Sequence, residues 1–229
     1  MKSKRLFIAG SALLAIFIIF TILIMLVNVQ PSGSSGAEVG FSGINSAFFD
    51  CFGENDGLDK LSDITLLLSF VYVFFFALIG TIQLLKRRSL RRVDREVLFM
   101  GALMVILALV YAIFELLEIN CRPILVDGAL EASYPSTHVL FSTVIFVSSI
   151  LLIRRMLENR RLSIIASGIT AFLAALAIFS RALCGAHWLT DIVASLILAS
   201  SLITLLAAVL KLSDEIKDAK HSSSSQANA

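Results

Sequence analysis

Six stretches of this chain are each long and apolar enough to cross a lipid bilayer, which leaves few folds open to it. They run roughly over residues 6–28, 64–85, 97–119, 138–157, 163–181 and 188–210. A spanning helix needs about 20 mostly apolar residues, and it must satisfy its backbone polar groups within the segment. The expected fold class is therefore all-α: an integral membrane bundle of six transmembrane helices, one domain over residues 1–229, with an outer loop between helices 1 and 2. Composition agrees, because 58% of the residues are hydrophobic and only 16% charged. A soluble domain sits nearer half apolar and about a quarter charged.

The placement of Lys and Arg supports the same count by an independent route. Lys2, Lys4 and Arg5 precede the first span, and Lys86, Arg87, Arg88, Arg91, Arg92 and Arg95 separate the second from the third. Arg154, Arg155, Arg160 and Arg161 separate the fourth from the fifth, and Lys211, Lys217 and Lys220 follow the sixth. If the chain weaves six times, all of these fall on one side, leaving only Lys60, Arg122 and Arg181 on the other. By the positive-inside bias both termini are expected in the cytoplasm and the polar loops outside. The run from Lys86 to Arg95 reads as an anchor on anionic headgroups, so no nucleic-acid partner is expected. The first span has a longer apolar core than a signal peptide and no clear small-residue cleavage site after it, so it reads as a retained anchor.

Outside the spans, residues 29–63 form the longest outer loop. It opens with the turn-forming stretch Pro31-Ser32-Gly33-Ser34-Ser35-Gly36 and continues with Phe41, Ile44, Phe48, Phe49 and Phe52 among acidic residues. A Gly-rich turn followed by an amphipathic segment on the membrane surface fits this pattern. The tail over about 213–229, with Ser222 to Ser225, reads as disordered. Cys51, Cys121 and Cys184 have no C-x-x-C spacing, so no zinc site is expected, and a Cys51–Cys121 bond stays open.

Polar chemistry concentrates in three segments at one predicted depth. Asn120-Cys121-Arg122-Pro123 leaves the third span and Tyr134-Pro135-Ser136-Thr137-His138 enters the fourth. Ser180-Arg181-Ala182-Leu183-Cys184-Gly185-Ala186-His187-Trp188-Leu189-Thr190-Asp191 joins the fifth to the sixth. Ionisable residues at membrane depth are expensive and mark function by default. His187 and Asp191 lie four apart, on one helical face, so a carboxylate can fix the tautomer of the imidazole and leave the other nitrogen free to attack. An arginine a short loop away can hold an anion in front of it. Ser136 and Thr137 stand at a helix start, where free N–H groups and the dipole favour an anion.

These residues resemble the type-2 phosphatidic acid phosphatase superfamily. Pro135-Ser136-Thr137-His138 is similar to its P-S-G-H motif, and Ser180-Arg181-x5-His187-x3-Asp191 matches its S-R-x5-H-x3-D motif at every fixed position. The outer loop, with Gly40, Asn45 and Gly53, more weakly resembles that of Gram-positive bacterial members. Two positions depart. Thr137 stands for the usual Gly, and in K-x6-R-P the Arg122-Pro123 pair is present but Glu115 stands for Lys. On a continuing helix Glu115 would share a face with Arg122, and it is read as orienting Arg122 or Arg181, as protonated in a buried setting, or as a mark of altered substrate choice.

The resemblance implies metal-independent phosphoryl transfer without a cofactor. His187 is the implied nucleophile, Asp191 its orienting carboxylate and His138 the general acid and then base. Arg122, Ser136, Thr137, Ser180 and Arg181 are the implied phosphate-binding residues. The expected substrate is the phosphate or diphosphate group of a membrane lipid in the outer leaflet: undecaprenyl diphosphate, phosphatidate, lysophosphatidate or phosphatidylglycerol phosphate. Two rivals stand beside this: a lipid phosphotransferase, and a catalytically weakened lipid-binding or transport protein.

Overall fold

A helix in lipid need bury only the faces that meet other helices, so burial along each helix reveals its place in the bundle. The computed structural model describes residues 2–126 and 128–227. In chain order it contains helix α1 (Lys2–Leu26), strands β1 (Gln30–Ser32) and β2 (Ala37–Val39), and helices α2 (Ser42–Phe52), α3 (Asp56–Arg87), α4 (Arg95–Leu117), α5 (Thr137–Met156), α6 (Arg160–Leu183) and α7 (Leu189–Ala227). Among the described residues six helices are long and apolar enough to cross a membrane, all but α2. The chain is a multi-pass membrane protein of the all-α class.

Helices α5 and α7 form the centre. Helix α5 buries Leu140, Val144, Ile145, Phe146 and Leu152, and α7 buries Ile192, Ala194, Leu198, Ala199 and Leu202. Around them α1, α3, α4 and α6 expose Ile18, Ile19, Phe74, Phe75, Ile106, Leu109, Ile164 and Phe172. In water so much open apolar surface would drive association, but in hydrocarbon it is the preferred solvent contact. Close packing of α1 on α7 depends on a small residue: a Cβ on Gly10 would lie 2.8 Å from the Leu205 side chain, and the Ser201 hydroxyl donates to the Gly10 carbonyl at 2.9 Å.

The two ends of the bundle differ in chemistry. At one end Arg155 donates to both carboxylate oxygens of Asp214 at 2.7 and 3.0 Å and to Glu96 at 3.2 Å, while Arg95 reaches Ser213 and the Ser3 hydroxyl donates to Glu215 at 2.6 Å. The tail from 213, expected to be disordered, begins inside α7, which extends to Ala227, and its first residues Ser213, Asp214 and Glu215 find partners on α4, α5 and α1. Residues 228 and 229 of that tail lie outside the described residues.

The opposite end gathers the starts of α3, α5 and α7 with the ends of α1, α4 and α6. Here the loop after α1 is more ordered than its composition suggests. It forms an antiparallel hairpin pairing Gln30 with Val39, then α2. The strands are too short to give the alternation by which a strand is read. Gly40 is required, since a Cβ there would lie 1.7 Å from the Ile24 carbonyl oxygen. Cys51, Cys121 and Cys184 are all free.

Candidate active site

Four segments build the site, each held by a specific anchor. Helix α4 stops at Leu117 because Glu118 turns left-handed at φ 44°. Arg122 therefore sits on a loop rather than two turns along the helix from Glu115, which corrects the helical-face reading of that spacing. The loop is fixed by paired backbone bonds, Arg122 N–H to the Glu131 carbonyl at 2.9 Å and Ser133 N–H to the Asn120 carbonyl at 2.8 Å. The Ser-rich turn of the hairpin holds it from outside, with the Ser35 hydroxyl donating to the Arg122 carbonyl at 2.9 Å and the Ser34 hydroxyl to the Pro123 carbonyl at 3.2 Å. From inside, the Trp188 indole N–H donates to the Cys121 carbonyl at 2.7 Å.

The α6–α7 connection needs a glycine at 185. Its φ is 78°, and a Cβ there would lie 2.1 Å from the Gly53 carbonyl oxygen. His187 stands in this loop, ahead of α7 rather than on it, and Asp191 lies in the first turn of α7. Asp191 is wholly buried and multiply bonded: Asn120 donates to Oδ1 at 3.1 Å and the Trp188 backbone N–H to Oδ2 at 3.2 Å. The second bond is half of a capping box at the α7 start. The start of α7 is clamped again by Asn45, which exchanges bonds with the Thr190 hydroxyl (2.9 Å) and backbone N–H (3.1 Å).

His187 is almost fully buried, and Arg181 Nη2 lies 3.1 Å from its Nε2. A guanidinium can only donate, so Nε2 is the lone-pair nitrogen. Burial first, then the charges of Arg181, Arg122 and His138, hold the imidazole well below the usual histidine range. The ring is thus neutral with its proton on Nδ1, which faces Asp191 Oδ2 at 3.6 Å. That separation is longer than a hydrogen bond.

Around His187 a cavity of about 410 Å³ is lined by Arg122, Thr137, Tyr134 and the carboxylates Glu115, Glu118 and Glu131. Ser136 caps α5 in position only: its side chain makes no capping bond, and its hydroxyl is buried without a partner. The first N–H groups of α5 are thereby left open to an anion. The Ser180 hydroxyl is buried and donates to the Ala177 carbonyl of its own helix at 3.3 Å. Glu115 pairs with neither arginine and is exposed, which corrects the orienting and the buried readings of it. Arg122 pairs with Glu131 at 3.2 Å, and buried Arg181 pairs with Asp59. His138 lies in the first turn of α5, with Nε2 2.9 Å from Asp63 Oδ1.

Asp59, Asp63, Asn120 and Glu131 were not singled out in the sequence as site residues. One signal was available for the first two: acidic residues four apart at the predicted start of the second span, at the depth of both motif histidines.

A buried neutral histidine against an arginine, at one end of a membrane bundle, is equipment for handling an oxyanion at the bilayer surface. The class this fold and site define is a multi-pass membrane helix bundle with an arginine–histidine cluster at one end. Residues 115–214, which hold every motif residue above, match the family model of the PAP2 superfamily. Its fold is similar to the crystal structure of a transmembrane PAP2-type phosphatidylglycerolphosphate phosphatase from Bacillus subtilis, at a TM-score of 0.58 and 16% sequence identity, covering 90% of this chain and 96% of that one. No curated protein matches the chain.

Proposed function

We propose that the protein hydrolyses the phosphate or diphosphate group of a membrane lipid through a phosphohistidine on His187, with the site on the extracytoplasmic face and both termini in the cytoplasm. The observation that carries this is the tautomer of His187: the lone pair is on Nε2, beside Arg181, on the wall of the cavity that also holds Arg122. Nε2 attacks phosphorus while Asp191, facing Nδ1, stabilises the cationic ring that results. His138 gives a proton to the leaving oxygen and then takes one from the attacking water. Arg122, Arg181, Ser136 and the first backbone N–H groups of α5 take the equatorial oxygens, where charge builds in the transition state. These groups supply the positive field, so the mechanism requires no metal ion.

A lipid substrate is favoured by what adjoins the polar cavity. An apolar recess of about 230 Å³, lined by Leu66, Phe70, Tyr111, Thr137 and Phe141, shares Tyr111 and Thr137 with it. A headgroup in the first then leaves its chain running along α3, α4 and α5 toward the hydrocarbon. The sidedness rests on the basic residues, which cluster at the far end of the bundle. Phosphate release from a panel of undecaprenyl diphosphate, phosphatidate, lysophosphatidate and phosphatidylglycerol phosphate, with purified protein in EDTA, tests the reading. His187→Ala should abolish turnover and His138→Ala should cripple it. Full activity in either variant, or no release from any lipid, refutes it.

A further inference from the structure

Two carboxylates outside all three motif segments reach the site from α3. Asp59 and Asp63 are one turn apart on that helix and so share a face. The start of α3 is held in register with the α6–α7 loop: the Asn55 backbone N–H donates to the Cys184 carbonyl at 3.0 Å, and the Asn55 side chain accepts from Leu58 N–H at 3.0 Å. With the helix so placed, Asp59 pairs with Arg181, and Asp63 Oδ1 lies 2.9 Å from His138 Nε2. The carboxylate of Asp63 is largely exposed, whereas the ring of His138 is largely covered. An ionised carboxylate only accepts, so Nε2 of His138 carries a proton. The other ring nitrogen, Nδ1, is buried and has no hydrogen-bond partner.

We propose that Asp63 is a positioning residue for the general acid: it holds His138 by Nε2–H and so presents Nδ1 to the leaving oxygen. This inference rests on the role given to His138 above. Each histidine then has its own carboxylate, on opposite nitrogens: Asp191 faces Nδ1 of His187, and Asp63 binds Nε2 of His138. In the first step the Nε2–P bond to His187 forms and the bond from phosphorus to the leaving oxygen breaks. That oxygen takes the Nδ1 proton of cationic His138, whose Nε2–H stays on Asp63. In the second step water oxygen bonds to phosphorus, the N–P electron pair returns to His187, and the water proton goes to Nδ1. Asp63 never touches substrate. Its contribution is to orient the ring and to compensate its charge while it is cationic.

The leaving group separates this role from simple packing. An alkyl phosphate needs a proton on its departing oxygen, whereas p-nitrophenolate leaves without one. For Asp63→Asn, kcat on a lipid phosphate should fall at least about ten-fold with KM within about two-fold, while the initial burst of p-nitrophenol from p-nitrophenyl phosphate keeps its rate. Asp63→Glu should recover part of the lost kcat. A full kcat on the lipid, or equal losses with both leaving groups, overturns the proposal. His138→Asn is run in parallel. If it is crippled while Asp63→Asn is not, the positioning role alone fails; if His138→Asn is fully active, the general-acid assignment fails with it.

Discussion

Arg181 donates through Nη2 to Nε2 of His187 at 3.1 Å, and the same guanidinium is paired with Asp59. Both the lone pair and the cation that the proposed mechanism uses are therefore already engaged with protein groups. On the proposed mechanism an entering phosphate replaces Asp59 as the counterion and slips between the arginine and the imidazole. It then meets a donor already aligned, which is the preorganisation that makes oxyanion stabilisation effective.

Arg181→Lys should lower kcat for lipid phosphate by about 100-fold or more, because a single ammonium cannot span two partners as the planar guanidinium does. Phosphate release from the folded variant in detergent checks this, and undiminished turnover would contradict it.

His187 should stay neutral at pH values where an ordinary histidine, with its pKa of about 6.5, is half protonated. Its buried setting and the nearby cations depress the folded-state value. NMR titration of labelled histidine reads this directly, and Arg181→Met should move the midpoint upward. The sign for stability follows: between the unfolded and the folded value the unfolded chain binds the extra proton, so stability begins to fall as pH drops through about 6.5. A midpoint at or above the ordinary value would count against the buried, cation-flanked ring.

Glu115→Lys should tighten binding of anionic headgroups. The cavity wall carries Glu115, Glu118 and Glu131 against Arg122, so the substitution reverses one charge among four. We expect KM to drop about ten-fold at low salt, with the gain fading as ionic strength rises. A KM unchanged at low salt would mean that Glu115 does not face the bound phosphate.

Gly185→Ala should destabilise the fold by about 1–3 kcal/mol and impair turnover. The added Cβ would strike the Gly53 carbonyl and the backbone is left-handed, whereas Gly36, also left-handed, has open space around it. Thermal unfolding of the two alanine variants compares strain plus collision with strain alone. Equal effects would mean that the Gly53 contact is unimportant.

Much of this architecture was legible in the chain before folding. Runs of apolar residues mark spans by length alone, and the basic clusters mark the ends that lie together. His187, Asp191, Arg122 and Arg181 also stood out, because charge is scarce in such a sequence. Other features were not legible. Glu115 and Arg122 looked like helix neighbours until Glu118 ended α4 with a left-handed turn. The bond of the Ser180 hydroxyl to its own helix could not be read from the motif. The partners of Ser213, Asp214 and Glu215, which are Arg95, Arg155 and Ser3, were not legible either.

The sequence by itself determined how many helices are long and apolar enough to cross the membrane, which ionisable residues interrupt them, and roughly at what depth those residues lie. Those are local properties: the free energy of moving a run into hydrocarbon, and the identity of a side chain. Tertiary structure alone decided who partners whom: Asp59 with Arg181, Asp63 with His138, Asn120 with Asp191, Trp188 with Cys121. Helices apolar on every side carry no pattern that fixes their rotation, so packing against α5 and α7 had to set it. Only then did α3 turn its acidic face toward the site.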